Sequence, residues 1–426
     1  MINKIFKIFQ IPDLRKRILF VLGAFALFRF MANIPMPGVD KESLQALFER
    51  FQMFQFADLL IGGTLDQFSI VMLGLGPYIT SVIVIQLLTL VWPTLQRMYR
   101  EEGDAGRKKV NQYGRLMTVP FAFVQTFGML SLFQNQGVLE PLSLLQTVNI
   151  IAVVTAGTVL LMWIGELITE KGIGNGVSLL IFAGIISSVP SHIGHMIREI
   201  MFNPDMVPMY ILFFVLGVPI IASVVHVNEA RRNIPVSYAK RVRGRKIYGG
   251  ASTYLPLSLN PAGVIPIIFA MSIVVIPSML VGFLINVEGF VGSVAGVISD
   301  FLQMTWVYGS LIFILVCLFT YFYTAVTFDP KNVSENLQKM GGFVPGIRPG
   351  KSTANYIKFI LNRVLLLGAL FLATIAVLPM AISAFTEVEA FGFLIGGASL
   401  IIIVSVVLET IRQINSQLQM REYETI

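Results

Sequence analysis

Ser69–Trp92 reads SIVMLGLGPYITSVIVIQLLTLVW, and Pro93–Arg115 reads PTLQRMYREEGDAGRKKVNQYGR. The first stretch has no charged residue and the length of ~20 residues that a helix needs to cross a ~30 Å hydrocarbon core. The second carries six Lys/Arg between Arg97 and Arg115. The pairing of an uncharged crossing with a basic loop recurs outward in both directions. Apolar runs fall near 18–34, 69–92, 116–133, 148–168, 177–189, 208–227, 261–286, 305–327, 359–384 and 391–411. The fifth is short because Pro190 interrupts it, and it is expected to continue toward Met196. Assigning the loops alternately to two sides places Lys4, Lys7, Arg15, Lys16 and Arg17 on one side. The six of 97–115, seven Lys/Arg in 231–246 and five in 331–358 join them. The other side holds Lys41, Arg50 and Arg198 against twelve Asp/Glu from Asp40 to Glu389. The positive-inside rule then predicts an all-α polytopic membrane protein of ten transmembrane helices with both termini cytoplasmic.

Composition agrees. Of 426 residues, 55% are hydrophobic and 13% charged, about half the charge of a soluble domain. The net charge of +7 belongs to the basic loops and does not indicate a soluble nucleic-acid-binding fold. The single cysteine, Cys317, excludes an internal disulfide. A basic N-terminus precedes an apolar run, but Asn33–Pro37 offers no small-x-small cleavage site, so the first span is read as uncleaved. Lys4–Phe9 has amphipathic spacing suited to the cytoplasmic surface. Arg29, Glu166, Arg363 and Glu409 lie in or beside spans, mostly near an end where long side chains snorkel. His192 and His195 lack further ligands nearby, so no metal site is expected. Gly346–Ser352 looks like a phosphate loop but is one residue short, contains Pro349 and follows no strand. No hydrolase motif occurs, and neither a cofactor nor an enzymatic activity is expected.

Ten spans divide into residues 18–200 and 201–426, after a cytoplasmic segment 1–17. Because five is odd, any relatedness between the halves is an inverted repeat. Gly176-Val177-Ser178-Leu179-Leu180-Ile181 in the fifth span resembles Gly397-Ala398-Ser399-Leu400-Ile401-Ile402 in the tenth. Gly76-Pro77-Tyr78-Ile79 in the second resembles Ile265-Pro266-Ile267-Ile268 in the seventh. Paired helix interruptions in corresponding spans point to a central pathway; ordinary membrane-helix proline explains them as well. The segment Phe56–Phe68 is amphipathic, apolar and too short to cross. From its residues alone an interfacial helix is preferred over a re-entrant piece.

The loops 228–258 and 329–352 are longer than orientation needs. Loops this long in a compact membrane protein carry function, and a docking surface for an acidic partner or RNA phosphate fits their charge. Topogenic charge alone accounts for a few Lys/Arg in each.

At Gly103–Lys109, Gly165-Glu166 with Ile168–Gly176, Asn260–Pro266 and Phe343–Gly350 the chain resembles the SecY family, the channel subunits of bacterial protein-translocation complexes. The resemblance runs from the first span to the tenth. One departure is Pro261, where the family often has Met. The resemblance implies a clamshell of spans 1–5 and 6–10 around an hourglass pore, with a lateral gate between spans 2–3 and 7–8. It implies a pore ring of Leu75, Ile79, Val177, Ile181, Ile268 and Ile402; the internal repeat pairs Ile79 with Ile268 and Ile181 with Ile402 among them. It reverses the interfacial reading of 56–67, which becomes a plug containing Leu59, Leu60, Ile61, Gly62, Gly63, Thr64 and Leu65. Arg243, Arg245, Lys246 and Arg348 become docking residues for the SecA motor or the ribosome. The implied partners are SecE, SecG, SecA, the ribosome, signal sequences, nascent or unfolded polypeptides, and lipids of the bacterial cytoplasmic membrane.

A pore that passes extended polypeptide needs a deformable apolar constriction closed by dewetting and packing. A secondary transporter with the same repeat would instead need a mid-membrane ionisable or carbonyl-lined site. The aliphatic waist and bare interior favour the channel. A purely structural scaffold would leave the paired breaks and long basic loops unexplained.

Overall fold

The computed structural model describes residues 11–36, 68–135, 137–238, 241–243, 246–248, 252–284, 289–386 and 397–424. Every expected apolar run contributes a helix: α1 (Pro12–Ala32), α2 (Gly76–Val91) with α3 (Pro93–Arg100), α4 (Gly103–Asn135), α5 (Leu144–Lys171), α6 (Gly176–Phe202) and α7 (Val207–Glu229). After strands β1 (Arg231–Tyr238), β2 (Arg241–Arg243), β3 (Lys246–Tyr248) and β4 (Ser252–Ser258) come α8 (Ile265–Leu284), α9 (Phe290–Gln303), α10 (Thr305–Thr327) and α11 (Pro330–Lys339). Strand β5 (Gly342–Phe343), α12 (Lys351–Thr386) and α13 (Gly397–Glu424) complete the order. Among the described residues seven helices are long and apolar enough to cross a membrane, or eight if α2 and the start of α3 count as one broken span. The helix α6 runs through Pro190 to Phe202, as the fifth run was expected to do.

The helices group into two compact units, one of 1–208, 271–309 and 379–426, the other of 209–270 and 310–378. In the first, α2 packs on α4, α4 on α5, and α5 on α6. Polar side chains tie α2 to α4: Ser81 Oγ donates to the Gly114 carbonyl (2.8 Å) and contacts Thr118 Oγ1 (3.0 Å). Such bonds hold membrane helices where no hydrophobic force separates helix from lipid. Ser143 and Gln146 form a reciprocal capping box at the start of α5, worth ~1 kcal/mol.

Two features depart from the sequence reading. The second run is helical only from Gly76; residues 68–75 pass through successive turns. This irregular backbone is almost wholly buried, Val71 and Met72 completely, and its amides are used: Ile70 N donates to Ile34 O, Met72 N to Ser69 O and Gly74 N to Val71 O. Non-helical chain inside a membrane protein survives only under such conditions. Phe68 adopts φ 43°, rare for a bulky residue. The Pro35–Ser69 bridge and a ring contact with Phe133 at 5.6 Å hold it there. Beyond Val91 the helix direction turns by 106° into α3. Pro93 follows the extended residue Trp92, as the restriction on a residue before proline requires.

The second departure is a small sheet within the mostly helical fold. The supposed loops 228–258 and 329–352 contain the antiparallel sheet β4–β1–β5, with Ile234 opposite Leu255 and Ser237 opposite Phe343. Ile234, Val236 and Leu257 bury one face against Leu337 of α11, Val344 and Ile357 of α12. A second hairpin pairs β2 with β3.

Candidate functional site

The residues proposed for a pore ring sit at defined distances from helix breaks. In the second span, Gly74 takes φ 49°, α2 starts at Gly76 with Pro77 in its first turn, and Ile79 N donates to Leu75 O at 2.9 Å. In the seventh, Gly263 takes φ 63°, α8 starts at Ile265 ahead of Pro266, and Ile268 N donates to Val264 O at 3.3 Å. Each glycine supplies a left-handed turn that a side chain would strain. Each proline sits where a helix start has no use for its missing N–H. Ile79 and Ile268 thus follow their glycine by the same five positions.

The backing of the two breaks also matches. A Cβ on Gly157 of α5 would overlap the Ile70 carbonyl oxygen, and a Cβ on Gly368 of α12 would overlap that of Leu259. Ile70 and Leu259 each lie four positions before the left-handed glycine. The pairs Ile70/Leu259, Gly74/Gly263, Pro77/Pro266 and Ile79/Ile268 share one offset along the chain. The fourth and ninth runs therefore each carry a glycine into which the backbone leading to the second or seventh span fits.

In the fifth and tenth runs the regularity is one of sequence: Ile181 follows Gly176, where α6 starts, by five positions, and Ile402 follows Gly397 by five. Helices α6 and α13 pack together. Leu75, Ile79, Ile181, Ile268 and Ile402 are buried, and Val177 is half-buried. The start of α6 is fixed by a tight turn after α5. Asn175 Oδ1 accepts from the amides of Val177 and Ser178 (3.1 and 3.3 Å), and Gly176 N donates to Thr169 Oγ1 (2.8 Å). A Cβ on Gly176 would overlap the Gly165 carbonyl oxygen, and Gly174 takes φ 88°. Gly165, Thr169, Gly174, Asn175 and Gly176 are in this way one geometric device. Beside it, Arg115 of α4 pairs with Glu166 of α5.

On the side of the basic loops, Arg348 is exposed on a turn between β5 and α12. Gly341, Gly346 and Gly350 take φ 73°, 80° and 93° around it. Ser334 Oγ donates to Gly350 O (2.7 Å), Thr353 Oγ1 to Arg348 O (2.9 Å), and Ile347 N to Val344 O (3.1 Å). The guanidinium is therefore presented from a backbone held on three sides. Arg243 and Lys246 face each other in register on the β2–β3 hairpin. Arg245 and the expected plug, Leu59–Leu65 within 56–67, lie outside the described residues, as does Lys4–Phe9.

A sequence model of the SecY family matches residues 69–411. The chain belongs to the SecY family. It is 40% identical to the protein translocase subunit SecY of Streptomyces scabiei over 442 aligned positions, covering 100% of this chain and 99% of that relative. The SecY subunit of Aquifex aeolicus is 39% identical, with 98% of this chain and 97% of the relative covered. Among solved structures, one described as the structure of a protein conducting channel superposes with a TM-score of 0.68 at 18% identity, covering 93% of this chain and 91% of that one. Sec61 in the canine ribosome-channel complex gives 0.63 at 18% identity, with the same coverages.

Reading the sequence missed several residues of this SecY-family site. Val264, buried, occupies in the seventh lead-in the place of Leu75 in the second, and extending the repeat by one residue would have found it. Gly157 and Gly368 carry no motif of their own. The sheet did have a signal: Ile234, Val236 and Tyr238 alternate, as do Leu255 and Leu257. Pro235 and Pro256 argue against a central strand, yet both lie in the β1–β4 ladder, Pro235 opposite Tyr254 and Pro256 opposite Asn233.

Proposed function

We propose that this chain is the protein-conducting subunit of a Sec translocase, passing unfolded polypeptides across the bacterial cytoplasmic membrane and releasing apolar segments laterally into it. The observation that carries the reading is the placing of buried isoleucines at matched positions after matched helix breaks. Ile79, Ile181, Ile268 and Ile402, with Leu75 and Val177, form in this reading the apolar ring that closes the pore. An aliphatic ring seals by dewetting and yields to any side chain, which a carrier of arbitrary sequence requires. The segment 56–67 acts as a plug, and residues 18–200 and 201–426 are the two halves that part at a lateral gate between spans 2–3 and 7–8. The protein is not an enzyme in itself; energy comes from a cytoplasmic motor or the ribosome.

The ring is tested by Ile79→Asn and Ile402→Asn in the reconstituted complex. Each should hydrate the constriction, raise closed-state ion conductance in planar bilayers, and admit weakly apolar signal sequences. Wild-type conductance in both variants would remove these residues from the ring.

The basic side is proposed as the cytoplasmic docking surface for SecA and the ribosome, with SecE and SecG as companion subunits. Arg243, Arg245, Lys246 and Arg348 supply the cations. The ribosome-bound neighbour supports this partnership, and the rigid presentation of Arg348 supports its use as a contact. Arg348→Glu should lower SecA-driven export about tenfold or more, equivalent to ~1.4 kcal/mol, at an unchanged level of folded complex. Wild-type export in correctly oriented protein would leave the basic residues as orientation signals.

A further inference from the structure

Helix α9 joins α8 to α10 on the side opposite the basic loops, and neither the pore nor the docking surface uses it. Its sequence is FVGSVAGVISDFLQ. Phe290, Val294, Val297, Ile298 and Phe301 follow the spacing i, i+4, i+7, i+8, i+11, which on a helix makes one stripe about 100° wide. All five are exposed, Phe290 by 84% and Val297 by 70%. Ala295, on the other face, is 3% exposed and seats the helix on the protein. A stripe of this kind in water would leave five apolar side chains hydrated, which is unfavourable.

The neighbouring chain shows what covers it. Only Met304 separates α9 from α10, a helix apolar enough to cross the membrane. Trp306, in the first turn of α10, is 66% exposed, and exposed tryptophan marks the headgroup level at the end of a span. The last stripe residue, Phe301, therefore lies five positions along the chain from the residue that marks the headgroup level. Gly289, with φ 106°, starts the helix through a backbone conformation few other residues adopt, and Ser293 Oγ donates to the Gly289 carbonyl at 3.3 Å.

We infer that α9 is an interfacial helix whose Phe290–Phe301 stripe is seated in the acyl–headgroup boundary of the outer leaflet, with membrane phospholipid as its partner. The inference goes beyond the channel reading and needs only that the chain spans a bilayer. In that reading α9 links the two spans on one side of the lateral gate, so it anchors their outer ends to the lipid into which segments are released.

The test is site-directed spin labelling. Val297→Cys and Phe301→Cys are made in a Cys317→Ala background, which removes the only native thiol. The full translocase is reconstituted in phosphatidylethanolamine/phosphatidylglycerol vesicles, with wild-type export as the criterion of fold. Glu140→Cys, an exposed position on the same side, is the aqueous reference. Collision with oxygen should exceed collision with a water-soluble nickel chelate at both sites, placing the labels about 5–10 Å below the headgroups. Accessibility to the chelate equal to that at Glu140→Cys would mean the stripe lies in water. Exclusion of both reagents would mean that a protein covers it. Either result overturns the inference.

Discussion

The lead-in to the second span and the lead-in to the seventh share a carbonyl seated on a glycine and a left-handed glycine before the helix, with different fastenings. Val71 and Asn260 occupy equivalent places, three positions before Gly74 and Gly263. Val71 is fully buried beside Met72 and Phe68. Asn260, 8% exposed, instead donates its side-chain amide to Asn228 Oδ1 and to the Gly263 carbonyl, both at 3.0 Å. Burying a valine is worth ~1.5–3 kcal/mol, and two hydrogen bonds together contribute a net ~1–3 kcal/mol. The two fastenings are thus of similar strength. What the halves hold in common is the path of the main chain: a carbonyl seated on a glycine, a left-handed glycine, a helix start at proline, then isoleucine.

If that path is what matters, filling the glycine seats is the most damaging change. Gly157→Leu and Gly368→Leu should each destabilise the complex by about 3 kcal/mol, the upper range for overpacking, because backbone and not a flexible side chain stands in the way. Thermal unfolding of the purified complex measures this, and a midpoint unchanged in one variant alone would break the equivalence of the two lead-ins. The fastenings can then be exchanged. Val71→Asn buries an amide where no partner has been arranged and should cost about 2–3 kcal/mol. Asn260→Val removes both donated bonds and should cost a smaller ~1–2 kcal/mol. The same unfolding assay checks both, and equal losses would mean the two lead-ins are held alike after all.

The spans were legible because crossing a membrane demands long uncharged helices. The isoleucines proposed for the ring stood out because the chain repeats them, Ile79 with Ile268 and Ile181 with Ile402. The turns of 68–75 were hidden, since a buried apolar run reads the same whether it is helix or not; only Gly74, Gly76 and Pro77 mark the boundary. Gly157 and Gly368 were hidden because a close approach between distant segments leaves no local pattern. Charge drew attention to the basic loops and concealed the alternating Ile234, Val236 and Tyr238 that make a strand. The turn at Gly165–Gly176 was recognised as a motif, but its reason is visible only in the hydrogen bonds of Thr169 and Asn175.

One consequence of the β1–β5 pairing is mechanical. Strand β1 begins two residues beyond α7, and Gly350, whose carbonyl is bonded to α11, immediately precedes α12. Sheet, α11 and the Arg348 turn share one apolar core, so there is little slack between them. A load applied at Arg348 would be passed through this core to the roots of both α7 and α12, which the small sheet ties together.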